Sequence, residues 1–367
     1  RQEQWYVNYT VKVFQQDYAQ AVQKLFREYT GYIRARLEGT DGEVAQIVCN
    51  YPADQDEIHA ESMEEQKAIW FCGARIQPVV QGMELALELD RNTWYDLYQR
   101  NPIERFAEQY WKENGIDGWE EYKTIPDRLY IDNAFCHLLF PKEEQLFTLM
   151  EKAIVENVEI TLVFACMREF QVEERGKLLK KVDNWCEKRQ TRVEILVNDW
   201  GMTALVKESG KHLEPCLGVL LNKQKKDPRM RYKKGSTRGL GESNLQADFY
   251  RTFLKDTYGI TRYEWESCGY PQVFPQGKNS LHLPYYQTNT SQYCPLYASC
   301  TEGERGKQRL PEHCPGYCEQ YAYLYPEHLH MAGRYNSLFG LDAELVKHPE
   351  KLKAYQQAGI DRLVIGL

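Results

Sequence analysis

The segment RVEILVNDWGMTALVKESGKHLEPCLGVLLNK, residues 192–223, contains two short apolar runs with a helix-like stretch between them. VEILV (193–197) and the run around CLGVLL (216–221) are too hydrophobic for strands with one face in water, so both predict strands buried on two faces. GMTALVKESG (201–210) has helical apolar spacing and ends at glycine, a common helix terminator. A buried strand, a helix and a second buried strand predict a parallel βαβ unit.

The same alternation extends from about residue 126 to the end of the chain. Further strand candidates are DRLYIDNA (127–134), VEITLVFAC (158–166), ITRYEWESC (260–268), NSLHLPYY (279–286) and DRLVIGL (361–367). Further helix candidates are KEEQLFTLMEKAIVEN (142–157), REFQVEERGKLLKKVDNWCEKR (168–189) and QADFYRTFLKDTYG (246–259). No glycine-rich phosphate loop follows the first of these strands. The pattern therefore favours an α/β fold of the TIM-like (β/α) barrel type over an open doubly wound sheet.

Residues 1–125 have a different pattern. DYAQAVQKLFREY (17–29) has helical spacing, and YIRARLEGTDGEVAQIVCNY (32–51) resembles two strands joined by a glycine-containing turn. WYDLYQRNPIERFAEQYWKENG (94–115) predicts helices rich in Trp and Tyr. We therefore expect an additional N-terminal α+β lobe over 1–125, which could bind a protein partner, and a barrel domain over 126–367.

The overall charge argues against a general nucleic-acid-binding surface. The net charge is -7 and the pI is about 5.8, whereas nonspecific binding to a polyanion requires a clustered positive field. One local exception, NKQKKDPRMRYKKGSTR (222–238), has eight basic residues and one acid. Such a run is usually a solvent-exposed loop. The alternative is that it binds phosphate groups. No long apolar run or signal-peptide pattern is present, so we expect a cytoplasmic protein without a membrane span.

Four of the eleven cysteines lie within residues 294–318, in the spacing C-x5-C-x13-C-x3-C. A disulfide framework is disfavoured, because such frameworks serve small secreted domains. A zinc site and an iron-sulfur cluster both remain open, since each can use four thiolates. The scattered cysteines are expected to be small buried hydrophobic residues: Cys49, Cys72, Cys136, Cys166, Cys186, Cys216 and Cys268.

The cysteine region and the end of the chain resemble the peptidase U32 family, the collagenase-like proteins. The resemblance rests on NSLHLPYYQTNTSQYCPLYASC (279–300), EHCPGYC (312–318), RYNSLFGLDAEL (334–345) and QQAGIDRLVIGL (356–367). Family members carry C-x6-C, a longer gap and C-x3-C, followed by a strand with the pattern DR-x-V. This chain departs from that pattern in its C-x5-C and in its shorter gap. The resemblance covers roughly residues 126–367.

The resemblance implies a TIM-like barrel that holds a [4Fe-4S] cluster, with zinc as the runner-up. Carried over residue by residue, the ligands would be Cys294, Cys300, Cys314 and Cys318. Family members are linked to oxygen-independent hydroxylation of the ubiquinone ring and of RNA pyrimidines, with prephenate as oxygen donor in some. A small aromatic molecule or an RNA base is therefore the implied substrate.

Two other functions stay open. One is a U32-type peptidase, which ranks second because the sequence offers no G-x-S-x-G and no H-E-x-x-H. The other is a noncatalytic iron-sulfur partner subunit, which would dock through the N-terminal lobe.

Candidate catalytic residues follow from the barrel, because chemistry in this fold lies at the carboxyl ends of the strands. These candidates are Asp199, Glu264, His282 and Arg229. A carboxylate, an imidazole and a guanidinium facing one pocket could move a proton and hold an anionic oxygen donor. Each also has an ordinary alternative: a helix cap for Asp199, a lysine partner for Glu264, a core position for His282 and a solvated loop for Arg229.

Overall fold

The computed structural model describes residues 14–18, 20, 33–34, 82–114, 125–228, 241–302, 309–319, 321–324, 330–342, 345 and 348–366. Its strands, apart from the two-residue strand Ile33–Arg34, are β1 (Glu84–Leu89), β2 (Arg128–Ile131), β3 (Glu159–Phe164), β4 (Val193–Val197), β5 (Leu213–Leu217), β6 (Arg262–Glu266), β7 (Lys278–Thr290), β8 (Tyr321–Leu324), β9 (Ala332–Arg334), β10 (Ser337–Leu341) and β11 (Arg362–Gly366). Its helices are α1 (Asn92–Arg100), α2 (Ile103–Glu113), α3 (Glu143–Val155), α4 (Val172–Arg189), α5 (Trp200–Ser209), α6 (Asp248–Tyr258), α7 (Pro295–Glu302) and α8 (Leu352–Gln357).

Eight parallel strands within the described residues form a closed barrel. β1 to β7 pair in chain order, and β11 fits between β7 and β1, so the sheet closes on itself. Leu363 of β11, for example, lies opposite both Leu85 and Leu281. The neighbouring strands with the fewest paired residues are β5 and β6, which pair only at Leu217 and Tyr263. The predicted TIM-like (β/α) barrel is confirmed.

The barrel begins earlier than the sequence suggested. β1 pairs in parallel with β11 on one side and with β2 on the other, so it is an integral barrel strand. The boundary expected at residues 125/126 therefore falls between the first and second strands of the barrel. The expected N-terminal lobe, with its helix over 17–29 and strands over 32–51, lies mostly outside the described residues.

The aromatic residues of α1 and α2 belong to the core outside the barrel sheet. Trp94, Tyr98, Tyr110 and Trp111 are at most 1% exposed and pack in the same cluster as Leu85. The hydroxyl of Tyr110 donates to the backbone carbonyls of Glu88 and Ile365, at 3.2 and 3.1 Å. Burying each such side chain contributes about 2–3 kcal/mol. These aromatics fix the first βα unit against the barrel and are not free to stack on a ligand.

An antiparallel extension sits at the C-terminal end of the barrel. β7 is thirteen residues long: its first half pairs with β6 and β11, and its second half pairs with β10. β10 then pairs with β9, and β9 with β8. α7 follows β7 directly, so the cysteine segment starts at this end of the barrel. In the described part of the chain, the helices are too short or too polar to cross a bilayer.

Candidate functional site

The interior of the barrel has an apolar middle. Because side chains alternate across a strand, Leu85, Leu87 and Leu89 join the outer core while Ala86 faces the inside. The interior cluster comprises Ala86, Tyr130, Ala134, Val163, Leu196, Cys216, Val219 and Val364. Charged side chains lie on either side of this cluster, in the same strands. They form two separate groups, which we call the lower and upper lumen.

The lower lumen, at the amino ends of the strands, is a network of paired charges. Arg362 donates to both carboxylate oxygens of Glu194, at 2.6 and 3.0 Å, and to Glu84 at 2.6 Å. Glu84 also accepts from Arg128 at 2.5 Å. Burial alone would raise the pKa of Glu194, but its bond to Arg362 and the charges of the nearby arginines lower it to about 2. Pairing of this kind at the N-terminal face of a barrel serves stability.

The upper lumen brings together two of the four predicted catalytic residues. Nε2 of His282 lies 2.8 Å from Oε2 of Glu264, whose other oxygen accepts from the hydroxyl of Tyr130 at 3.2 Å. Glu264 is fully buried and His282 nearly so. Burial would lower the pKa of His282, but the hydrogen bond and charge of Glu264, together with Glu88 and Glu266, raise it. The raised pKa favours the protonated form of His282 beside Glu264.

A second ion pair stands beside the first. Lys226 binds Glu266, and both side chains are less than 10% exposed. The other oxygen of Glu266 accepts from the backbone N–H of Gln287 at 2.7 Å. Lys226 belongs to the basic run 222–238, of which residues 229–238 lie outside the described residues. One member of that run thus serves as a buried partner for a carboxylate.

The other two predicted catalytic residues are not part of this group. Asp199 is the N-cap of α5, and its two carboxylate oxygens accept from the backbone N–H groups of Met202 and Met167, both at 2.8 Å. These bonds lead to α5 and to the loop after β3, which matches the helix-cap alternative. Arg229 lies outside the described residues.

The four clustered cysteines meet at the extension above the barrel. Cys294, Cys314 and Cys318 line one cavity. Cys300, in α7, packs together with Cys294 against a small apolar cluster, which we call the cysteine cluster: Leu139, Leu296, Cys318, Tyr323 and Tyr335. The charges of Cys294 and Cys314 both act on Cys300, so it too lies near the cavity. The nine cysteines of the described residues are all free thiols. Three of the segment's four thiols therefore line one cavity, and none of the four forms a disulfide.

A fifth thiol, Cys136, lines the same cavity. It lies in the loop after β2, where the side-chain oxygen of Asn133 accepts from the backbone N–H groups of Phe135 and Cys136, at 2.9 and 2.8 Å. The sequence placed Cys136 among the scattered hydrophobic cysteines, because it is far from the others along the chain. Its position just after a barrel strand is the signal that could have identified it.

The donors in this cavity are sulfur atoms within apolar walls. Leu139, Leu296 and Pro311 are among the lining residues. Backbone N–H groups reach two of the sulfurs, from Tyr297 to Cys294 at 3.3 Å and from Gly316 to Cys314 at 3.4 Å. Such bonds stabilise thiolates and tune a bound iron-sulfur cluster. The donor set therefore fits a soft, thiolate-bound group.

Burial favours the protonated form of three of these thiols at neutral pH. Burial raises the pKa of Cys294 to about 11 and those of Cys136 and Cys300 to about 12. Binding a metal group would therefore release protons. Among the described residues, no three His, Cys, Asp or Glu side chains are placed to hold a single metal ion. A [4Fe-4S] cube distributes its four thiolates over four irons, so its ligands need not converge on one atom.

Two neighbouring residues, Arg334 and Tyr335, connect the cysteine cavity to the barrel mouth. The ring of Tyr335 belongs to the cysteine cluster and its hydroxyl donates to Asp90, just after β1. Arg334 donates to the backbone carbonyl of Cys318 at 3.2 Å, and its guanidinium lies 3.5 Å from Asp90. These contacts therefore connect the cysteine cavity to Asp90, at the carboxyl end of β1.

Comparison with known proteins gives no relative: no family model matches the chain, and no curated protein and no solved structure matches it. The membership in the peptidase U32 family predicted from the cysteine motif stays a prediction.

Proposed function

We propose that this protein binds a [4Fe-4S] cluster at the C-terminal mouth of its barrel and takes part in oxygen-independent hydroxylation of an aromatic or nucleobase substrate. The observation that carries the proposal is the proximity of a thiol-lined cavity to buried proton-holding groups. Tyr335 and Asp90 join the two. The resemblance of the cysteine region to the U32 family supplies the reaction class.

The chain's own thiols would hold the cluster. Cys294, Cys314 and Cys318 line the cavity, and Cys300 or Cys136 would complete the set of four. When bound, such a cluster supplies or accepts single electrons. With four protein thiolates its irons are coordinatively complete, so the substrate binds elsewhere, at the adjacent barrel mouth. Chemistry at that end agrees with the general position of active sites in barrels.

The upper lumen would handle protons. His282 is hydrogen-bonded to Glu264 at 2.8 Å, and the hydroxyl of Tyr130 donates to the other oxygen of that carboxyl group. Hydroxylation of an aromatic ring ends with loss of a ring proton, which a positioned base must take up. Polar groups that are already oriented need little rearrangement when charge develops on the substrate.

The test is an anaerobic assay of the full chain with its cluster intact. A ubiquinone precursor and unmodified RNA are offered with and without prephenate, and products are identified by mass spectrometry. We expect a gain of one oxygen atom on one of these substrates, and loss of that activity in Cys314→Ala. Hydrolysis of peptides by cluster-free protein would contradict the proposal and favour a peptidase.

A further inference from the structure

Glu88 is a carboxyl group at the upper end of β1 that the sequence did not single out. It follows Glu84 and Ala86 on the side of β1 that faces the lumen. A Cβ atom built at Gly366, on the neighbouring strand β11, would lie 2.2 Å from Oε2 of Glu88. The carboxyl group therefore occupies the space that any side chain at position 366 would need, and the glycine keeps that space free.

Charged groups on three other strands and at the end of β1 itself act on Glu88, and their effects oppose one another. His282 of β7 and Arg334 of β9 attract a negative charge on Glu88, while Glu266 of β6 and Asp90 after β1 repel it. Tyr130 of β2 lies opposite Glu88 in the sheet register. The attractive groups are already engaged, His282 with Glu264 and Arg334 with Asp90.

Unlike the neighbouring carboxyl groups, the carboxyl group of Glu88 is not held by a hydrogen bond or a salt bridge from the described residues. Glu264 is bound by His282, and Glu266 by Lys226, whereas the described residues donate no hydrogen bond to the carboxyl group of Glu88. Its side chain is half-buried, so a molecule at the mouth can reach it. A polar group that the protein leaves unsatisfied beside a functional region is available to a ligand.

The surroundings keep Glu88 close to half-protonated at neutral pH. Burial raises its pKa to about 7; His282 and Arg334 oppose the shift, and Asp90 and Glu266 add to it. A general acid or base works best when its pKa is near the working pH, because both protonation states are then available. Glu194 in the lower lumen, with its pKa lowered to about 2, has no such capacity.

We propose that Glu88 is a further catalytic residue, which takes a proton from, or gives one to, the substrate at the barrel mouth. The inference rests on the proposed function. When a hydroxylated ring recovers its aromaticity, its C–H bond breaks, the electron pair returns to the ring and the proton forms an O–H bond on Glu88. Glu88 gains or loses no electrons in this step. His282 lies beside it and stabilises the carboxylate before the proton arrives.

The first test does not depend on activity. Infrared spectra of the full chain with ¹³C-labelled glutamate are recorded from about pH 5 to about pH 9. This range extends about two pH units on either side of the expected midpoint. Wild type should lose a protonated-carboxyl band as the pH rises through about 7. The band should be absent in Glu88→Gln and present in Glu84→Gln, the matched change four residues earlier on the same face of β1. A band that persists in Glu88→Gln, or is missing in wild type, overturns the proposal.

The second test measures turnover of the hydroxylation substrate. Glu88→Gln should lower kcat about 100-fold, with KM and the visible spectrum of the cluster unchanged, and Glu88→Asp should recover part of the rate. Full activity of Glu88→Gln would overturn the proposal. If wild type shows the band but converts no substrate, the proposed hydroxylation is refuted. The infrared titration then decides by itself whether Glu88 exchanges a proton at neutral pH.

Discussion

Nε2 of His282 lies 2.8 Å from Oε2 of Glu264 in the interior of the barrel, with Glu264 fully buried. Each charge compensates the other where water cannot. Removing one partner of a buried pair leaves an uncompensated charge and costs about 3–5 kcal/mol, whereas removing both costs less than the sum.

We therefore predict that His282→Leu and Glu264→Leu are each strongly destabilising, and that the double variant is less destabilised than additivity requires. Urea unfolding of the four proteins in a double-mutant cycle measures the coupling. Single costs that add to within about 0.5 kcal/mol would show that the two side chains do not stabilise each other.

Arg362 should be the most important charge for the stability of the barrel. It is 1% exposed and pairs with both Glu84 and Glu194. Arg362→Met should reduce the free energy of unfolding by about 3–5 kcal/mol, because Glu84 and Glu194 each lose one buried cationic partner. The control is Arg192→Met, whose pair with Glu214 is 64% and 47% exposed and should contribute no more than about 1 kcal/mol. Equal losses in the two variants would contradict the assignment.

Glu88 should make the protein less stable as the pH rises. Its pKa is about 7 in the folded chain and 4.5 as the reference value, so between these values the folded state binds more protons than the unfolded state. The contribution of Glu88 to the free energy of unfolding is therefore fully present below about pH 4.5 and is lost as the pH rises through about 7. The loss is at most about 3 kcal/mol. Glu88→Gln should be more stable than wild type at pH 8, and that advantage should shrink towards pH 4.5. Chemical unfolding at several pH values checks this; a pH-independent difference would exclude a raised pKa at Glu88.

Cys136 should contribute to cluster binding although it lies outside the cysteine segment. Its thiol lines the cavity together with Cys294, Cys314 and Cys318. We expect Cys136→Ala to carry less iron than wild type and to show a changed visible spectrum. Cys186→Ala is the control, because Cys186 is buried in the outer core. Wild-type iron content in Cys136→Ala would assign that thiol to packing alone.

The barrel could be predicted from its buried strands. Segments such as VEILV have no polar face, and that pattern is specific to parallel strands covered on both sides. β1 was harder, because Glu84 and Glu88 face a charged lumen and make ELALEL look like a half-exposed strand. β7 was predicted over residues 279–286, but it continues to Thr290 because its second half finds an antiparallel partner in β10.

The sites depend on contacts between distant residues, so the sequence revealed them in part. Glu264 was found because it lies towards the end of a predicted strand, and His282 because its predicted strand lies just before the cysteine segment. Cys136, Glu88 and Arg362 were missed, because each gains its neighbours only when the barrel closes and the extension folds over it. Asp199 shows the opposite error: its strand-end position is explained by capping α5.

The central claim is that the cysteine cavity holds an iron-sulfur cube, and anaerobic metal analysis with visible spectroscopy tests it most directly. For the purified full chain the account predicts about four iron and four sulfide per chain, with broad absorption that bleaches on reduction and is lost in Cys314→Ala. Stoichiometric zinc without iron, or an unchanged spectrum in Cys314→Ala, would contradict it.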